Sequence, residues 1–443
     1  MKSSKPGKRV WIALSALSAS AALAVAVAAP ASAGVPSAVI TGKSAPSGVK
    51  VSLFATNTDA QNVPASAGAN SFHSSIHDLA IVDGKLFAGY GDYNANTGPV
   101  NLNSYSIATG AEKHEVTGIP AEELGKLKLL DGTLYAPNVD PRVSWTSAAN
   151  YGSYDSATHA GSYIANTPFI HVFDVAKLGD ELFMAGSIVN PDKTAYGPTN
   201  TLAAIKKSVD GGATWTIDRT AADDPVVLST YPGDGEYARY YWLAVAGGKL
   251  YTRASTMSST GDPSLAFTYP GKDGVEHTAY NTPGLDVYTP GSGWSAIDAG
   301  PTIATLPHPY HVDAVGSKII FAMSGFRGVT GSVTVNGQTT AVPVFDTTTN
   351  TYGSLNAPGV YSVLDTYQDG PTSYILANNP VAPSIYSSTD GSTWTKLADA
   401  IMPAYYDAKS IAVSNGIAYI GSSKANIYKL TLPGSSTSTG GKR

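Results

Sequence analysis

The chain has 443 residues, with 45 glycines, 28 prolines, no cysteine and a formal net charge of −5. Without thiols it has no disulfide, no thiolate metal site and no cysteine nucleophile. Without a basic run to neutralise phosphates, a nucleic-acid partner is excluded.

In chain order, Lys2, Lys5, Lys8 and Arg9 precede an uncharged apolar stretch over residues 10–28, and Ala31, Ser32 and Ala33 form a small-x-small cleavage site. This is the pattern of a secretory signal peptide over residues 1–33, removed on export rather than kept as a membrane anchor. Its loss takes four of the 28 basic residues and leaves 24 against 33 acidic ones. The expected product is a secreted, extracellular, acidic protein with no membrane partner. Residues 34–48 read as a flexible leader and 434–443, mostly Ser, Thr and Gly, as a disordered tail.

Between them, residues 49–433 carry a repeat. An apolar strand, a two-residue turn and a second apolar strand recur from Leu79, Leu127, Val175, Leu243, Val312, Val363 and Ile411. The turns are Asp83-Gly84, Asp131-Gly132, Gly179-Asp180, Gly247-Gly248, Gly316-Ser317, a longer one around Asp369-Gly370, and Asn415-Gly416. Such pairs tolerate positive φ, as two-residue hairpins require. The starts lie 48, 48, 68, 69, 51 and 48 residues apart, and a period near 48 fits a four-stranded blade. Strands apolar on both sides fit sheets stacked around an axis. The fold expected is therefore an all-β, seven-bladed β-propeller, with an added hairpin over residues 332–342. The lone strand over residues 49–54 is expected to pair into the last blade and close the ring.

Ser208, Asp210, Gly212, Thr214 and Trp215 fit the pattern S-x-D-x-G-x-T-W, and residues 388–394 repeat it with one residue missing. Residues 288–294 hold a degraded third copy. This resembles the Asp-box, or BNR repeat, of the sialidase-like propeller superfamily. The resemblance implies a propeller and a glycan substrate, and assigns Asp210 and Asp390 to the turns rather than to catalysis. The F/Y-R-I-P motif of true sialidases is absent.

Long polar and aromatic loops are expected opposite the tight turns, where function usually sits. The residues before each inner strand include His73, His77 and Asp78, then His171 and Asp174, then Glu236, Tyr237, Arg239, Tyr240, Tyr241 and Trp242. Farther on come His308, Tyr310 and His311, then Tyr361, then Tyr405, Tyr406 and Asp407. The loops after the second strands add Tyr90, Asp92, Tyr93, Asn94, Asp140, Arg142, Arg253 and Arg327. Five of the eight histidines occupy this one kind of position, so His77, His171 and His311 are expected to converge on one mouth.

Histidine near neutral pH moves protons, and arginine grips a carboxylate at two points. The set suits lyase-type β-elimination on an acidic, uronate-containing polysaccharide. His77 and His171 would transfer protons with Tyr240 as helper. Arg239 and Arg142 would hold the carboxylate, and His311, Tyr241, Asp92, Tyr90 and Arg327 would line the substrate. Seven-bladed polysaccharide lyases that use His, Tyr and Arg are similar in architecture and residue type. Three alternatives stand beside this reading. One is an exo-acting glycoside hydrolase drawing two carboxyl groups from Asp78, Asp92, Asp140, Asp174 and Asp313. Another is a non-catalytic glycan-binding propeller. The third is a divalent metal held by His77, His171 and His311, although no resident cofactor is required. A monomer is the simplest assembly.

Overall fold

The computed structural model describes residues 48–65, 73–93, 98–141, 149–189, 201–220, 239–256, 266–270, 276–281, 285–297, 311–322, 333–335, 338–340, 342–379, 382–404 and 407–433. The segments read as signal peptide, leader up to residue 47 and tail lie outside them. No helix among the described residues is long and apolar enough to cross a membrane.

The chain folds as an all-β, seven-bladed β-propeller. Each blade is built on an antiparallel sheet, and its strands follow in chain order from the axis outward except where the N-terminal strands join blades six and seven. The innermost strands are Ile76–Val82, Lys128–Leu130, His171–Leu178, Ala244–Ala246, His311–Val315, Ser362–Asp369 and Ala408–Ser414. Each returns through a tight turn to a second strand, as at Lys85–Tyr90 and Ile417–Ser422. Asp83 and Gly84 have φ of 54° and 71°, and Asn415 and Gly416 have 51° and 71°. Two successive positive values give the turn twist that matches the strands. One detail differs from the sequence reading. In the sixth blade the strands extend to Asp369 and resume at Thr372, so only Gly370 and Pro371 turn.

The wide spacing before the fourth and fifth blades is occupied by insertion. Arg239–Tyr240, Ala254–Thr256, Glu276–Asn281 and Ala266–Pro270 form an additional sheet. The expected hairpin is present as Val333–Val335 paired with Gln338–Thr340.

The ring closes as expected and with one strand more. Ser52–Thr56 runs antiparallel to Asn426–Thr431 as the outer strand of the seventh blade. Just before it, Val49–Lys50 pairs in parallel with the outer strand of the sixth blade, Val49 opposite Ala400. The next residues form a short helix, Thr58–Asn62, whose first turn is capped by the Asn57 side chain accepting from the Ala60 amide at 2.8 Å.

Both faces of each sheet bury apolar side chains. Phe87, Tyr154 and Leu134 fill the gap between the first two blades, and Phe183, Tyr240 and Leu250 that between the third and fourth. Each such side chain contributes roughly 1.5–3 kcal/mol, so interblade packing holds a ring that has no cross-link.

The two Ser-Asp-Trp turns join the third and fourth strands of blades three and six, at the ring's periphery. Ser208 Oγ donates to Asp210 at 2.7 Å, Thr214 N to the same carboxylate at 2.9 Å, and Trp215 Nε1 to Gly212 O at 3.1 Å. Ser388, Asp390, Thr393 and Trp394 repeat the pattern at 3.0, 3.0 and 3.2 Å. The third, degraded turn departs from it, because Trp294 Nε1 instead reaches Asp218 of the neighbouring blade at 2.7 Å.

Candidate functional site

The residues five places before each hairpin turn form a layer of equivalent positions, one per blade: Asp78, Lys126, Asp174, Trp242, His311, Asp365 and Ser410; Trp242 among them packs against Phe321. In blades one, three, six and seven a β-bulge precedes it, at His77, Phe173, Leu364 and Lys409. The extra residue re-aims the side chain that follows. Three aspartates of this layer clamp neighbouring blades. Asp78 accepts from Leu79 N at 2.7 Å and from Leu127 N of the next blade at 2.6 Å. Asp174 does the same with Val175 and Leu243 at 2.8 and 2.9 Å, and Asp365 with Thr366 and Ile411 at 2.7 Å each.

Two lysines of the second blade enter the same layer. Lys126 Nζ lies 3.4 Å from Asp174 and 3.2 Å from Asp313, and donates to Val312 O at 3.0 Å. Lys128 Nζ lies 3.0 Å from Asp313 and 3.8 Å from Asp174. Burial opposes ionisation of Asp313, but the two ammonium groups outweigh it and hold this carboxyl well below the usual range. From this layer a cavity of about 500 Å³, lined by Asp78, Lys126, Lys128, His311, Asp313 and Thr366 among others, extends toward the hairpin-turn end, where Gln368 and Gly370 border it.

At the opposite end, the loops of the first two blades are knitted together, and Val172 N of the third blade donates to Asn138 O at 3.0 Å. Gly91 pairs with Glu123, Ala121 with Pro141 and Leu124 with Asn138. Gly91 has a φ of 130°, and a Cβ there would stand 2.4 Å from Glu122 O, so only glycine allows this approach. Asp92, Glu122 and Glu123 are buried here. His171 Nδ1 is 2.6 Å from Ser187 Oγ, while its Nε2 is 3.4 Å from Asp140 Oδ1 and 3.5 Å from Arg239 Nη2. The His171 ring stacks on Phe173 at 5.6 Å, Arg239 lies over the same phenyl at 5.7 Å, and Tyr241 packs against it at 4.5 Å. A guanidinium only donates and a carboxylate only accepts, so Nε2 accepts from Arg239 when the ring is neutral and donates to Asp140 when it is protonated.

The three histidines have different surroundings. His77 Nε2 is 2.9 Å from Gly91 O, and burial pushes its pKa down to about 4. His311 sits in the channel layer, with Nδ1 3.2 Å from Asp365 Oδ1, and burial aided by Lys126 lowers it to about 3. The proposed three-histidine metal set is replaced by another grouping: the ligating atoms of Asp78, His311 and Asp365 all lie within 4.8 Å of one another. His171, Asp140, Arg239 and Tyr241 do come together at the loop end. Tyr240 does not face the mouth: it is fully buried between blades three and four and donates to Asp286 at 3.1 Å, beside Arg219. Tyr90 points outward, accepting from Asn101 N at 2.8 Å. Arg142 and Arg327 lie outside the described residues, as do Asn94, Glu236, Tyr237, His308, Tyr310, Tyr405 and Tyr406. Sequence reasoning passed over Glu122, Glu123, Lys126, Lys128 and Asp365. Lys128 and Asp365 were detectable as charges within otherwise apolar inner strands, and Lys126 as a charge two residues before one.

No family model matches the chain, and no curated protein matches it. Many solved structures are similar in fold. Virginiamycin B lyase from Staphylococcus aureus is 11% identical with a TM-score of 0.46, over 81% of this chain and 95% of that one. The GH74 xyloglucanase from Xanthomonas campestris is 11% identical with a TM-score of 0.47, over 84% of this chain and 53% of that one. The Pan2 WD40 domain from Neurospora crassa is 11% identical with a TM-score of 0.44, over 86% and 95%. These are propellers of varied kinds, enzymes and non-enzymes, and are not specifically Asp-box proteins. Identity this low carries no information about activity.

Proposed function

We propose that this protein is a secreted, carbohydrate-active propeller that cleaves uronate-containing polysaccharide by β-elimination at the loop end of the ring. The observation that carries this reading is the approach of Arg239 Nη2 and Asp140 Oδ1 to one nitrogen of His171, at 3.5 and 3.4 Å. Arg239 binds the uronate carboxylate and draws charge from the adjacent carbon. His171 Nε2 takes the C5 proton, and the C4–O bond breaks to leave a C4=C5 double bond. Asp140 stabilises the imidazolium that forms. Tyr241, part-exposed beside Phe173, takes over from Tyr240 as the group that returns a proton to the leaving oxygen.

The test is a screen of the secreted protein on acidic and neutral polysaccharides, read both by ultraviolet absorbance of unsaturated uronate and by reducing ends. A lyase gives both signals. His171→Asn abolishes turnover, and Arg239→Lys raises KM more than it lowers kcat. No unsaturated product from any uronate polymer would refute it. Reducing ends alone would favour a hydrolase using the mouth carboxyls, among which Asp92, Glu122, Glu123 and Asp140 stand close in the fold. A binding module without chemistry is the second reading, favoured by the deep burial of His77 and His171. Binding without turnover, weakened by Arg239→Ala, would select it.

A further inference from the structure

The channel layer contains four buried or largely buried carboxyl groups, Asp78, Asp174, Asp313 and Asp365, and two ammonium groups, Lys126 and Lys128. Both lysines lie against Asp174 and Asp313. Asp78 and Asp365 have no ion pair to a lysine or arginine at that range among the described residues. They meet instead at His311, which arrives from a third blade. Burial raises both the Asp78 and the Asp365 carboxyls, so the pair holds protons unless a cation joins them, because desolvation of each buried ion costs several kcal/mol.

His311 is a second pointer, and a geometric one. Its ring is 2% exposed and stands between two acceptors, with Asp365 Oδ1 3.2 Å from Nδ1 and the His77 carbonyl also within its hydrogen-bonding reach. A neutral imidazole donates through only one nitrogen, so one of these contacts requires a further cation or proton between ring and oxygen. The two carboxylates are already positioned by backbone amides from their own and the following blade. Each oxygen retains a second lone pair. Asp78 and His311 also border the 500 Å³ cavity, which supplies a route of entry.

We infer that Asp78, His311 and Asp365 form a divalent transition-metal site at the axis of the ring, completed by water from the channel cavity. One imidazole nitrogen and two carboxylate oxygens, with open positions, are the donor set of zinc or manganese. Calcium is disfavoured because it takes six to eight oxygens and no imidazole. The ion ties blades one, five and six together. This site lies in the channel layer rather than at the His171 mouth, and its existence does not depend on the proposed lyase activity.

The test uses the full secreted chain. It is stripped with a chelator, dialysed against zinc, manganese or cobalt(II), and freed of loose ion. Elemental analysis should then find one equivalent of metal, and cobalt should give a visible d–d band from nitrogen–oxygen coordination. His311→Gln should lose the band and at least ten-fold in affinity. Asp365→Asn, which keeps one acceptor oxygen for the blade clamp, should do likewise while its circular dichroism stays native. The melting temperature of the wild type should rise with metal and that of His311→Gln should not. A folded wild type that takes up no metal overturns the inference, and leaves a proton shared between His311 and Asp365. Equal uptake by wild type and His311→Gln also overturns it, since the ion would then lie elsewhere.

Discussion

Asp174→Ala tests whether the ring is held by carboxylate clamps at its axis. The Asp174 side chain is fully buried and accepts from Val175 N of its own strand and Leu243 N of the next blade, at 2.8 and 2.9 Å. Alanine leaves both amides without an acceptor, and each buried orphan costs about 1–3 kcal/mol. Lys126 keeps Asp313 at 3.2 Å and Val312 O at 3.0 Å, so the full penalty of a broken buried pair does not apply. The expected loss is about 4 kcal/mol. Asp174→Asn, which keeps one oxygen, should lose about half of that. Asp180→Ala, exposed at the turn of the same blade, is the control and should leave stability unchanged. The assay is the urea midpoint followed by tryptophan fluorescence. A loss under about 1 kcal/mol for Asp174→Ala, against the range given for two orphaned amides, would refute the clamp.

Three further outcomes are expected. Burial holds His77 down at about 4, so the unfolded chain takes up a proton there as pH falls below about 6.5 while the native chain does not. That contribution to stability is present above pH 6.5 and is lost toward pH 4, at up to about 1.4 kcal/mol per pH unit, and His77→Gln should flatten the acid side of a melting-temperature profile. Deleting residues 48–56 removes the outer strand of the seventh blade and the fifth strand of the sixth; size-exclusion chromatography should show association through the bared edges, and a stable monomer would count against the closure. Trp394→Ala, at a core position 3% exposed, should cost about 3–5 kcal/mol, more than Trp215→Ala at its half-buried counterpart, as read by thermal denaturation.

The blades were legible because each hairpin carries its own local instruction: a pair tolerant of positive φ between two apolar runs. The closing strand was legible because residues 49–54 have no hairpin partner of their own. The site was harder to read because β-bulges leave no mark in the sequence. His77 occupies a bulge, His171 stands three residues before the channel-layer position of its blade, and His311 occupies that position itself. Residues that seem to share a slot therefore point to different places. Counting back five residues from the turn, rather than forward from the loop, collects the clamping aspartates, Lys126 and His311 at once. Tyr240 and Tyr241 show the same limit. Adjacent residues at a strand edge face opposite ways, and nothing in their identity says which hydroxyl meets Asp286 and which meets the opening.

The reach of Lys126 has a mechanical consequence. Its ammonium, rooted in the second blade, ends on the Val312 carbonyl of the fifth, roughly opposite. A toroid joined only through adjacent sectors can go oval under load, with strain accumulating at the weakest seam. A strut across the diameter couples distant sectors directly, so a sector pushed out of line is restrained from its far side as well as by its neighbours.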